Sequence, residues 1–127
     1  MRKLVVLLFS LFSLVAFGQN KTCQDFKTGK FEYVDTSYAD WKVCRTDAVQ
    51  IETNTKSGLI IYSAVTWISD CEFTLTCTKV SKPKLQHVVG KIFEIEIVKT
   101  GNNTYYCISE KNEVQTKDLM LELVKIE

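Results

Sequence analysis

From residue 71 to residue 78 apolar and polar side chains alternate without a break: Cys71, Phe73, Leu75 and Cys77 are interleaved with Glu72, Thr74, Thr76 and Thr78. Successive side chains on a strand point to opposite faces, so this stretch offers one face to a core and the other to water. A helix cannot gather those four apolar residues on one side. The same period recurs. Phe93, Ile95 and Ile97 alternate with Glu94 and Glu96, and Phe31 and Tyr33 flank Glu32. Leu119, Leu121 and Leu123 alternate with Met120, Glu122 and Val124, a weaker pattern that a short helix would also fit. Residues 59–69 are apolar on both faces, which suits a central strand or one covered on both sides.

Turn residues punctuate these runs. Asn54-Thr55-Lys56-Ser57-Gly58 precedes the 59–68 run, Ser69-Asp70 follows it, and Gly101-Asn102-Asn103 reads as a hairpin. Glu110-Lys111-Asn112-Glu113 marks a further turn, and the longest irregular stretch, Val80 to Gly90, holds the only Pro. The spacing predicts about eight short strands, near 28–35, 41–46, 48–52, 59–68, 71–79, 91–98, 104–109 and 117–124. No long helical pattern, repeat or linker interrupts them. Evenly spaced short strands joined by hairpins favour an all-β fold, a single antiparallel, mostly up-and-down and partly closed barrel, with a β-sandwich as the alternative.

The chain opens Met-Arg-Lys and continues with 14 residues, Leu4 to Phe17, interrupted only by Ser10 and Ser13. A basic start, a short apolar run and the small residues Ala16 and Gly18 make 1–18 a signal peptide cut ahead of Gln19. The run is shorter than the ~20 residues a membrane span needs. Residues 19–127 are then a single β domain, exported to the periplasm or secreted, with no stable membrane span after processing. Of 16 Lys+Arg, Arg2 and Lys3 leave with the leader, so the mature chain carries 14 against 15 Asp+Glu. Only Lys82-Pro83-Lys84 approaches a basic patch, which argues against a nucleic-acid partner.

All five cysteines, Cys23, Cys44, Cys71, Cys77 and Cys107, lie in the mature part, where disulfides are permitted. The odd number leaves at least one thiol over. Cys71 and Cys77, six residues apart on one strand, stand roughly 20 Å apart and cannot bridge each other. There is no Cys-x-x-Cys and one histidine, so no zinc or other metal site and no cofactor is implied. His87 lies in the Pro-containing loop with no nucleophile motif near it. Glu94 and Glu96 share a strand face about 7 Å apart, but alternation makes that the wet face. Trp41, Val43 and Arg45 share a face. Trp41 and Arg45, with Trp67, are the ligand-facing candidates: in a barrel mouth an Arg beside aromatic surface receives an anionic or aromatic ligand. The plain alternative packs the Trp in the core and lets Arg45 reach the rim.

Three stretches, Cys23-Gln-Asp-Phe-Lys-Thr-Gly-Lys-Phe31-Glu-Tyr, Arg45 with Gln50-Ile51-Glu52, and Trp67-Ile-Ser-Asp-Cys71-Glu-Phe-Thr-Leu75, resemble a family of small exported proteins of Bacteroidetes, especially flavobacteria. The likeness runs from about Cys23 to the C-terminus. Some members bear the name DNA topoisomerase IV, which these residues do not support: the chain lacks the length, a nucleophile tyrosine motif and an ATP site. The resemblance implies that Cys23 and Cys71 are a pair. It leaves Cys44, Cys77 and Cys107 as additions of unknown state, among which one further bridge is open. The Phe26-x-x-Gly29-x-Phe31 opening is similar in outline to the lipocalin-like calycins, although their Gly-x-Trp is replaced by Gly29-Lys30-Phe31. The expected function is a small secreted binding or interaction module, not an enzyme, for an unknown small ligand or an envelope or extracellular partner. The alternatives are a structural envelope protein acting through its surface and an enzyme with an unrecognised carboxylate site. A lumen lined by aromatics and a few polar groups would favour binding; a filled interior would favour the surface.

Overall fold

The alternating runs form strands close to where the sequence marks them. The structure is a computed structural model that describes residues 21–127; the leader over 1–18 and the cut ahead of Gln19 lie outside the described residues. The strands are β1 (Gly29–Tyr33), β2 (Trp41–Arg45), β3 (Val49–Asn54), β4 (Ile60–Trp67), β5 (Glu72–Val80), β6 (Ile92–Thr100), β7 (Thr104–Ser109) and β8 (Leu119–Lys125). Each pairs antiparallel with the next. β8 returns to β1 through Tyr33 opposite Leu123, Glu32 opposite Val124 and Phe31 opposite Lys125, closing an eight-stranded barrel. Closure is therefore complete, where the sequence suggested only partial closure. It leaves no strand edge unpaired.

The inner faces are those the alternation marks. Phe31, Val43, Val65, Phe73, Leu75 and Leu123 are buried in one core with Ile97 and Tyr105. The weakly patterned 119–124 segment is a strand with Leu123 inside. The doubly apolar β4 pairs with β3 and β5, and on its outer row Ile60, Tyr62 and Ala64 are half-buried. Tyr62 lies between Ile51 and Lys79, whose ammonium sits 5.5 Å above the Tyr62 ring. Two bulges adjust the faces. Thr78 stands unpaired between Cys77 and Lys79, so Cys77 and Val80 can both point inward, and Val98 stands unpaired between Ile97 and Lys99.

β3 inverts the rule. Gln50 is 4% exposed and faces the interior with Glu52, while the apolar Val49 is 40% exposed. The short Thr46–Ala48 connection sets this register. The Thr46 N–H donates to the Val49 carbonyl at 2.8 Å, and Arg45 falls opposite Gln50. With Val43 and Arg45 facing inward on β2, their cross-strand partners Glu52 and Gln50 face inward too.

One end of the barrel is plugged. Cys23–Phe26 forms a 3-10 turn whose start is fixed by the Asp25 carboxylate accepting the Thr22 N–H at 2.8 Å. Phe26 is fully buried and packs on Tyr105, ring centroids 5.3 Å apart. A Cys23–Cys71 disulfide, Cα atoms 5.3 Å apart, ties the plug to the start of β5. Lys125 Nζ donates to the Asp25 carbonyl at 2.7 Å, and Lys27 Nζ pairs with Asp70 at 3.3 Å. Gly29 has φ +138°, and a Cβ there would lie 2.6 Å from the Glu127 carbonyl oxygen, so the β1–β8 seam at this end requires glycine.

Candidate binding cavity

The barrel interior is not filled. A cavity of about 240 Å³ runs from the plug toward the opposite end. Its wall is mainly apolar, with Val43, Leu75, Ile95 and Leu121 beside the rings of Phe73 and Phe93. Eight strands leave an interior that either packs shut or holds one small ligand. Here small or polar side chains at inward positions, Ser63, Ser109 and Gln50, leave the middle open.

Arg45 forms the floor and is only 2% exposed. Its Nε donates to the Lys27 carbonyl at 3.1 Å and its Nη1 to Gln50 Oε1 at 2.8 Å. Its Nη2 donates to the Phe26 carbonyl at 2.8 Å and to the Tyr105 hydroxyl at 3.1 Å. The guanidinium carbon stands 4.7 Å from the Phe31 ring and 4.8 Å from the Phe73 ring. The planar fork thus meets fixed acceptors and flat ring faces together, as arginine can and lysine cannot. Arg45 accordingly joins the plug to the wall.

Further along the same wall stands Glu52. The Tyr33 hydroxyl donates to its Oε1 at 3.2 Å. Burial pushes the Glu52 carboxyl above its ordinary value, while hydrogen bonds from Tyr33 and Gln50 and the charge of Arg45 pull it back. Burial, reinforced by the neighbouring Glu52 charge, holds the Tyr33 phenol well above its ordinary value. Burial pushes Tyr105 up to about 12, and does the same to the Cys107 thiol in the wall. Arg45, Gln50, Glu52 and Tyr33 form a polar stripe up an otherwise apolar lumen.

The far end is a rim built from connections. The 3-10 turn Pro83–Val88 brings Val88 against Cys77 and Val80, and Val88 also touches the cavity. The β7–β8 connection folds over beside it. Gln115 Nε2 donates to the Ser109 carbonyl at 2.7 Å, and Lys91 pairs with Glu113.

Of the ligand-facing candidates, the cavity collects Arg45 alone. It lies at the plugged floor rather than at a mouth or rim, and four of its five N–H donors are engaged by protein acceptors. Trp67 packs against Phe73 at the plugged end, centroids 4.5 Å apart, with Lys27 Nζ 5.0 Å above it, and does not line the cavity. Trp41 is half-buried at the start of β2, outside the lining. Cys23 and Cys71 are bonded to each other, while Cys44, Cys77 and Cys107 are free. The further bridge left open among those three does not form: Cys44 sits on the outer row between Lys30 and Ile51, whereas Cys77 and Cys107 are inside on β5 and β7, with β6 between them. His87 is exposed. Glu94 and Glu96 face outward, where a shared hydrogen bond and the charge of Glu94 raise the Glu110 carboxyl. Among the described residues no group of three His, Cys, Asp or Glu is placed to hold a metal, and no helix is long and apolar enough to cross a membrane. Glu52 and Tyr33 are the lumen residues that sequence reasoning missed. For Glu52 the signal was the short β2–β3 connection, which makes β3 follow the inward face of Val43 and Arg45; for Tyr33 it was the alternation with Glu32 on β1.

Comparison with family models, with curated proteins and with solved structures finds no match to this chain.

Proposed function

We propose that this protein is an exported binding module that carries a small, largely apolar ligand inside the barrel. The observation that carries the reading is the cavity of about 240 Å³, aromatic and aliphatic on its walls with one polar stripe, in a barrel plugged at one end. Ligand sites have this make-up, an apolar container with a few convergent polar groups. The volume lies below the ~300–1,000 Å³ of drug-sized sites, so the ligand is a compact one. A disulfide between the plug and β5 supports export, because such bonds persist in oxidising compartments. The basic, apolar start of the chain and the likeness to exported Bacteroidetes proteins point the same way.

Binding is favoured over catalysis by the state of the lumen groups. Four of the five Arg45 donors are engaged by protein, and burial keeps the Cys107 thiol and the Tyr105 phenol protonated at neutral pH. Native mass spectrometry of protein recovered from the periplasm or medium tests the reading. A co-purifying small molecule, lost when the cavity is filled by Leu121→Trp, is the expected result. Apo protein that takes up no small apolar compound would favour a structural envelope protein acting through its outer surface.

A further inference from the structure

The two charged groups of the lumen are satisfied to different degrees. Arg45 has protein acceptors on all three nitrogens and is 2% exposed, leaving a ligand's anion little access. Glu52 borders the open space, and its hydrogen bonds come from two neutral side chains, the Tyr33 hydroxyl, which donates to its Oε1, and Gln50. None of the ion pairs among the described residues includes Glu52. The titratable and charged groups facing it are Tyr33 from β1, Arg45 from β2, Cys77 from β5, and Tyr105 and Cys107 from β7. Burial keeps four of these neutral at neutral pH, and the fifth, Arg45, is bonded to Gln50. A carboxylate open to an apolar space and lacking a bonded cation is costly, and a compact cation entering that space relieves the cost. Tyr33 and Phe93 also line this space, and aromatic rings attract positive charge.

We propose that the lumen selects small organic ammonium ions, with the ligand's N–H groups on Glu52 and its apolar body against Leu75, Ile95 and Phe93. This rests on the reading of the lumen as a binding site. The space equals about eight waters' worth, enough for an arylalkylamine but not for a long-chain lipid.

Calorimetric titration of the exported, disulfide-bonded protein at neutral pH with three probes of one shape tests it: phenethylammonium, neutral 2-phenylethanol and anionic phenylacetate. The ammonium should bind about tenfold tighter than the alcohol, as charge-assisted hydrogen bonds outrank neutral ones, and phenylacetate should bind weakest. Glu52→Gln should abolish that preference, bringing the ammonium down to no tighter than the alcohol. If the alcohol binds as tightly as the ammonium, if phenylacetate binds best, or if Glu52→Gln keeps the preference, the inference is overturned while the lumen remains a binding site. If none of the three binds, the binding reading falls with it. Should Glu52→Gln not fold, the order of the three probes on the native protein decides alone.

Discussion

At the residue scale Arg45 and Glu52 have opposite roles, and each makes its own prediction. Arg45 is a structural cation whose four hydrogen bonds join the plug, β3 and β7. Arg45→Met leaves two carbonyls, the Gln50 amide oxygen and the Tyr105 hydroxyl without their donor. Such a break in a buried polar network costs about 3–5 kcal/mol. Arg45→Lys should recover only part of this, because an ammonium cannot reproduce the fork or the stacking. Urea unfolding of both variants checks the order. Glu52 carries a carboxyl raised by burial from its ordinary value of 4.5. The folded state therefore holds this proton at pH values where the unfolded chain has released it. The sign follows: Glu52 lowers stability as pH rises from about 4.5 through its elevated folded value, with no further loss above that. The lowered carboxyls Asp35, Asp70, Glu113 and Glu127 give the opposite slope. The comparison is thus between native protein and Glu52→Gln. Their difference in melting temperature should widen in favour of the variant as pH rises from 4 toward neutrality. A difference that stays flat would show that Glu52 titrates normally.

At the element scale the plug depends on a covalent tie. The disulfide spans a sequence separation of 48 residues, and closing a loop of that size constrains the unfolded chain by about 4 kcal/mol in the entropy model. That is a large share of the ~5–15 kcal/mol typical of a whole domain. Cys23→Ser with Cys71→Ser should lower stability by about that amount, read by chemical denaturation. It should also raise hydrogen exchange at residues 21–27 before the strands are affected, because the plug would then be held by non-covalent contacts alone: Phe26, the Arg45 bonds and the Lys125 and Lys27 contacts. Gly29 is the second fixed point. Gly29→Ala places a methyl 2.6 Å from the Glu127 carbonyl oxygen at a φ that L residues rarely adopt, and a loss above about 1 kcal/mol is expected. The strands themselves were legible from period two, because inward and outward residues differ in polarity on most of them. β3 was legible as a strand but not in its facing. Its apolar Val49 and Ile51 lie outside and its polar Gln50 and Glu52 inside, so polarity alone gives the wrong face. The bulges at Thr78 and Val98 were equally silent, since one unpaired residue leaves no mark on composition.

At the scale of the whole molecule, closure and the lumen were the least legible features. Pairing β8 with β1 joins residues about 90 positions apart in sequence, Tyr33 and Leu123 among them, and no local pattern encodes such a contact. The family likeness did supply the Cys23–Cys71 pair, and with it the plug. Whether the interior is full or hollow depends on the summed volumes of side chains from all eight strands, which alternation does not report. The hollow interior is nevertheless the central claim, and methyl-resolved NMR with 2-phenylethanol tests it most directly. Saturable shifts should appear at the lumen methyls of Val43, Leu75, Ile95, Leu121 and Leu123. The outer methyls of Val49, Ile92, Val98 and Met120, all at least 40% exposed, should stay in place. Shifts confined to those outer methyls, or none at saturating ligand, would contradict a barrel that binds within.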